Sequence, residues 1–204
     1  MLCNSVGRQT NEEAYLKLSP DIPMVCADRR TGGHAAASTL IRAGRKCVLQ
    51  FRDSISARLA DNDRGIRASL DVRHVEFQKE AKAAGVRYAE ILTDAARMTP
   101  LRKLAEDGFI THPDADGVMA TDILALQYAH IAMARGKRIP EGLKIVAYDG
   151  TDFARIFYPE VCAIVQPIAQ IAETAVDLLI RRIEGKLIPN KRVVLPVSIL
   201  NALQ

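Results

Sequence analysis

An α/β fold with parallel strands is predicted by two features of the sequence: short apolar, β-branched runs recur along the chain, and segments of helical spacing lie between them. A third feature agrees: 49% apolar and 25% charged residues describe a chain that buries a core rather than a disordered one.

Residues 22–27 (IPMVCA) read as the first well-formed strand, and residues 34–43, within RRTGGHAAASTLIRAG, as a helix in which Gly32 and Gly33 admit close backbone approach before the helix proper. KCVLQF at 46–51 is the next strand. Residues 72–84 carry Phe77, Ala81 and Ala84 behind Arg73 on one helical stripe. YAEIL at 88–92 is a weaker strand, and 101–107 has helical spacing. DGVMAT at 116–121 leads into a helix over 122–135, and KIVAY at 144–148 is a core strand. After an aromatic-rich turn come the strand CAIVQ at 162–166, the helix 168–184 with Ile168, Ile171, Ala172, Ala175, Leu179 and Ile183 on one stripe, and the strand RVVLPV at 192–197. Punctuation fits: Pro167 suits a helix start, Gly136 and Gly185 suit helix ends, and Ile139-Pro140 marks a turn.

Charge narrows the function classes. Lys and Arg exceed Asp and Glu by 28 to 24, yet the basic residues are scattered, with pairs such as Arg29-Arg30 and Arg181-Arg182 as the longest runs. That is a solvated surface rather than a nucleic-acid footprint. No apolar stretch is long enough for a transmembrane helix, and MLCNSVGRQTNEEAY lacks the order of a signal peptide. Cys3, Cys26, Cys47 and Cys162 stand far apart, without CxxC or metal spacing, as buried reduced thiols of a cytoplasmic protein would.

In an open α/β sheet, ligands bind beyond the carboxyl ends of the strands. The residues there are polar: Asp28 with Arg29 and Arg30, Arg52 with Asp53, Thr121-Asp122, Asp149-Gly150 and Gln166. Asp122 reads as an N-cap, a ligand contact, or both. Asp149 beside Gly150 is either a turn residue or a carboxylate apt for a bidentate grip on vicinal hydroxyls. Arg73, at the head of an apolar stripe, needs acceptors from a salt bridge or a ligand, since its guanidinium cannot be neutralised. GxGxxG, GxxxxGK[ST], HExxH and GxSxG are all missing, so nucleotide, zinc and a serine nucleophile have no usual seat. His34, His74, His112 and His130 lie in separate segments and read as structural. No catalytic residue, metal or cofactor is expected.

The order of certain motifs resembles the effector-binding core of the LacI/GalR family of sugar-responsive bacterial transcription regulators, itself similar to periplasmic sugar-binding proteins. These motifs are IPMVCAD followed by GG and LIRAG, RHVEF, PDADGVMATDILAL, GKRIPEGLKIVAYDG, YPEVCAIVQP, IAETAVDLLIRRIEG and RVVLPVSIL. The resemblance implies a periplasmic-binding-protein-like fold of two doubly wound lobes joined by three crossovers, near 44–46, 166–168 and 188–192. Residues 1–44 and 167–190 would form a partial N-terminal lobe, and 45–166 with 191–204 the C-terminal lobe. Sugar would lie between the lobes, contacted by Asp28, Arg73, Thr121 (where the family usually has Asn), Asp122, Asp149 and Gln166. Phe153 and Phe157 would wall the site. Arg29 stands where the family has an Asn beside Asp28.

The implied protein is a cytoplasmic homodimer whose sugar or sugar phosphate effector changes its affinity for operator DNA. A helix-turn-helix domain, which this chain does not contain, would hold the DNA. LCNSVGRQTNEEAYL resembles a strand and helix of the first lobe, but it runs at once into SPDIPMV where the family has further elements. The alternatives are a periplasmic sugar-binding protein of an ABC transporter and an enzyme acting on sugars with Asp149 or Asp122 as acid or base.

Overall fold

The computed structural model describes residues 2–3, 23–53, 72–93, 100–157, 161–188 and 192–201; the helix expected after Cys3 lies outside them. The chain runs β1 (Leu2–Cys3), β2 (Met24–Ala27), α1 (Arg29–Arg42), β3 (Cys47–Asp53), α2 (Val72–Ala83), β4 (Arg87–Thr93), α3 (Leu101–Thr111) and β5 (Gly117–Thr121). It continues with α4 (Asp122–Ala134), β6 (Lys144–Asp149), α5 (Asp152–Ile156), β7 (Cys162–Val165), α6 (Ile168–Ile183), β8 (Arg192–Leu195) and β9 (Ser198–Leu200).

Two sheets result. The larger has the order β4-β3-β5-β6-β7-β9 and is parallel except for β9, and the smaller is β1-β2-β8, all parallel. Because successive strand residues face opposite sides, each central strand feeds two cores. Leu49, Phe51, Val118, Ala120, Ile145 and Ala147 pack with Ala125, Tyr128 and Ala132 of α4 on one face. Val48, Met119, Val146, Tyr148 and Ile164 pack with Ala36 and Leu40 of α1 and Phe77 of α2 on the other. The smaller sheet is covered by Ile171, Ala175 and Leu178 of α6.

This packing corrects the expected lobe boundaries. Helix α1 was expected with the first lobe, but it lies on the larger sheet against α2, so the first crossing falls at Asp28 rather than at 44–46. RVVLPV, read as one strand over 192–197, stops at Leu195 before Pro196: β8 pairs with β2 in the smaller sheet, and the residues that follow form β9, which pairs antiparallel with β7 in the larger. Proline has no N–H for a ladder, and the third crossing therefore sits at 196–197 instead of 188–192. Between β7 and α6, at 166–167, the chain passes back to the smaller sheet. All three crossings lie at the carboxyl ends of β2, β7 and β8, and two are tied together where the Asp28 N–H donates to the Leu195 carbonyl at 2.8 Å.

Gly32 and Gly33 are helical rather than pre-helical, and their role is packing. A Cβ on Gly32 would meet the Tyr148 ring, with Cζ at 3.0 Å, and one on Gly33 would meet the backbone of Arg73, with C and Cα both at 2.8 Å. The two glycines thus let α1 settle on β6 and α2 at the same point.

Candidate functional site

β3, β5, β6 and β7 end side by side, and the order β4-β3-β5 puts a topological switch point among them, the usual place for a ligand in such a sheet. Asp149 closes β6 with φ 144°, and Gly150 follows with φ 71°. A Cβ on Gly150 would lie 2.5 Å from the Val165 Cα, so only glycine lets β6 and β7 part this closely. Consecutive left-handed residues are costly for a non-glycine and persist only where the surroundings hold them. One holder is Gln166, whose Nε2 donates to Asp149 Oδ1 at 2.7 Å while its N–H donates to the Asp149 carbonyl at 3.1 Å.

Burial pushes the Asp149 carboxyl up to about 6; Arg73 opposes this, the Asp122 charge adds to it, and Gln166 and Arg29 oppose it. The sign follows from linkage. With the folded value above the ordinary 3.8, the folded chain binds the extra proton, so this group's stabilisation is complete below about pH 4 and is lost as pH rises through about 6. Asp149→Asn removes that dependence. Urea melts at pH 4.5 and 7 should show the gap between wild type and Asp149→Asn changing by about 2 kcal/mol, with the variant gaining at pH 7. Equal gaps at both pH values would contradict the burial of this carboxylate.

Arg73, in the first turn of α2, lies with Cζ 4.8 Å from the Tyr148 ring centroid. Its Nε donates to His74 Nε2 at 3.1 Å. His74 is 4% exposed, and burial, with the nearby charges of Arg73 and Arg52, holds it well below the ordinary histidine value. Neutral His74 can accept from Arg73. Stacked on one face and bonded through Nε, the guanidinium is pre-organised as a fork, with its two terminal nitrogens making no hydrogen bond or ion pair to the described residues. Tyr148 itself is 1% exposed, its phenol is pushed up to about 12 by burial, and its hydroxyl has no hydrogen-bond partner among the described residues.

The N-cap expected at Asp122 falls one residue earlier. Thr121 is the N-cap of α4, exposed and without a side-chain cap bond, and Asp122 is the first helical residue. Asp122 is 2% exposed; its Oδ1 accepts from the Gly150 N–H at 3.3 Å, and its Oδ2 accepts from the Thr151 N–H and Oγ1, both at 2.6 Å. Asp28 caps α1: its Oδ1 accepts from the Thr31 N–H at 3.0 Å and its Oδ2 from Thr31 Oγ1 at 2.7 Å. Partial burial pushes this carboxyl up, but these bonds and Arg30 bring it below its ordinary value. The structure therefore brings Arg73, Asp149 and Gln166 together around Tyr148, sets Thr121 and Asp122 at the adjoining strand end, and turns Asp28 back on its own helix.

Of the two expected aromatic walls, Phe153 is exposed while Phe157 packs against the core instead. Arg30 pairs with Glu76, and Arg52 with Glu90 at 3.7 Å. Sequence reasoning missed Tyr148 and His74 as supports of Arg73, although each adjoins a residue already singled out. Thr151, which completes the Asp122 clamp, was missed too. Among the described residues there is no cluster of His, Cys, Asp and Glu suited to a metal, and no helix long and apolar enough to cross a membrane.

The chain has similar counterparts among known proteins. The sucrose operon repressor of Streptococcus mutans is 31% identical over 186 residues, 90% of this chain and 53% of that protein. That of Lactococcus lactis is 30% identical over 169 residues, 82% of this chain and 49% of that protein. The ribose operon repressor of Halalkalibacterium halodurans is 25% identical over 183 residues, 89% of this chain and 52% of that protein. The chain thus spans about half the length of the curated relatives it matches. In fold it is similar to a transcriptional regulator CelR-cellobiose complex, with TM-score 0.72 at 22% identity over 88% of this chain and 53% of that one. A periplasmic binding protein/LacI transcriptional regulator from Alkaliphilus metalliredigens complexed with D-xylulofuranose gives TM-score 0.71 at 22% identity, over 89% of this chain and 65% of that one. The profile of the periplasmic binding protein-like domain matches residues 50–201, and the chain belongs to that family, with relatives named as sucrose and ribose operon repressors.

Proposed function

We propose that this chain is the effector-binding part of a sugar-responsive, LacI-type transcription repressor. Sugar or a sugar phosphate binds between lobes built on the two sheets, and the bound lobe angle sets the spacing of DNA-binding heads in a homodimer. Those heads, helix-turn-helix domains holding operator DNA, belong to parts of the protein outside this chain. The protein works in the cytoplasm and catalyses nothing. Ligand contacts come from Arg73, Asp149, Gln166 and Thr121, with Asp28 on the facing edge.

The observation that carries this reading is the convergence of the Arg73 fork and the ionisable Asp149 carboxylate at strand ends where the chain crosses between sheets. A guanidinium and a carboxylate grip neutral polyols through paired hydrogen bonds. A periplasmic carrier would share that geometry, but the curated relatives are named as repressors.

Calorimetric titration of the full-length protein with sucrose, D-ribose, cellobiose, lactose and their phosphates tests the reading, alongside operator binding with and without each sugar. Binding without turnover, accompanied by altered DNA affinity, is expected. Turnover of a bound sugar, or binding that leaves DNA affinity unchanged, would overturn it, because a ligand with equal affinity for both lobe angles shifts nothing.

A further inference from the structure

We propose that Asp122 is a positioning residue of the effector site: it holds the 149–151 loop so that Asp149 presents its carboxylate to the cleft, and it does not itself touch the ligand. The proposal rests on the reading of Asp149 as a ligand contact, and its argument is geometric. Asp122 is buried, and both of its oxygens are already occupied by Gly150 and Thr151. A carboxylate that accepts three bonds at 2.6–3.3 Å has little left to offer a sugar hydroxyl. The bonds go instead to the two residues that follow Asp149, whose own φ of 144° needs an outside constraint. Because Asp122 sits in the first turn of α4, its charge is favourable to the helix dipole whether or not a ligand is present. Exposed Thr121, one residue earlier, is the group at this helix start that faces outward.

Asp122 also acts on Asp149 through charge, as do Arg73 from α2 and Arg29 from α1, while Gln166 after β7 acts through its hydrogen bond. That supplies a readout which general destabilisation would not move. Carbon NMR of the carboxyl groups in the intact chain follows the Asp149 titration, and the Gln166 side-chain amide reports the bond that Asp149 accepts. In wild type the Asp149 carboxyl, pushed up by burial, should titrate at about 6. In Asp122→Asn its midpoint moves down toward the ordinary carboxylate range, and the Gln166 amide resonance moves with it. Thr151→Val keeps the Asp122 charge and removes one donor, so there the Gln166 resonance moves while the midpoint moves less.

An unchanged Asp149 midpoint and an unchanged Gln166 resonance in Asp122→Asn would overturn the proposal. The titration with sucrose, D-ribose and cellobiose separates the two claims. If wild type binds one of them, Asp122→Asn should bind it about tenfold more weakly, and equal affinity would count against positioning. If wild type binds none, the effector reading fails for these sugars while the two NMR signals still decide whether Asp122 sets Asp149.

Discussion

Arg73→Ala should weaken binding of whichever sugar the protein takes by about ten- to a hundredfold, the cost of losing a charge-assisted contact worth roughly 1.5–3 kcal/mol. The size rests on pre-organisation. Tyr148 supports one face of the guanidinium and His74 fixes its Nε, so little side-chain entropy is left to lose when a ligand accepts from the two terminal nitrogens. Arg73→Lys should fall nearly as far, because an ammonium has neither the planar fork nor the stack. Tyr148→Phe provides the opposite control: the ring stays beneath Arg73, and the lost hydroxyl has no hydrogen-bond partner among the described residues. Calorimetry of the three variants decides the matter. Full affinity in Arg73→Ala would remove Arg73 from the site, and a loss in Tyr148→Phe as large as in Arg73→Ala would mean that the phenol, rather than the fork, meets the ligand.

The site was legible in the sequence to the extent that strand ends were. DGVMAT and KIVAY are apolar runs that stop at a polar residue, and a parallel strand buried on both faces has to read that way. Thr121, Asp149 and Gln166 therefore stand at or beside the predicted carboxyl ends. Hydrophobic pattern does not say which sheet an element joins, and there the reading went wrong. Helix α1 follows Asp28 directly and was given to the first lobe, yet its glycine pair fits Tyr148 and Arg73 on the larger sheet. RVVLPV was read as one strand, but Pro196 ends it at Leu195 and the strand that follows joins the other sheet. Asp122 looked like a cap or a ligand contact because side-chain partners 28 and 29 residues away leave no periodic trace.

Gly33→Ala should damage the packing of α1 on α2, and for a reason unrelated to backbone freedom. Gly33 lies mid-helix, where alanine is intrinsically better by about 1 kcal/mol. The added Cβ would nevertheless press on the Arg73 backbone, with its C and Cα at 2.8 Å, and backbone atoms cannot rotate aside as a flexible side chain can. Overpacking of this kind costs about 1–3 kcal/mol, occasionally more, and the backbone target puts Gly33 at the upper end. A net loss of about 2 kcal/mol, or a Tm lower by about 4–8 °C, follows for a chain of this length. Gly136→Ala is the matched control. Its Cβ meets nothing within 4 Å, but φ is 83°, so it should lose about 1 kcal/mol through strain alone. The two variants then differ in kind as well as size. Relief of the clash requires α2 to move away from α1 and carry Arg73 with it, so Gly33→Ala should weaken sugar binding along with the fold, whereas Gly136→Ala, at the far end of α4, should leave affinity intact. Thermal melts paired with calorimetry separate the cases, and a Gly33→Ala protein as stable and as tightly binding as wild type would show that α1 and α2 are free to part at the point where the site is anchored.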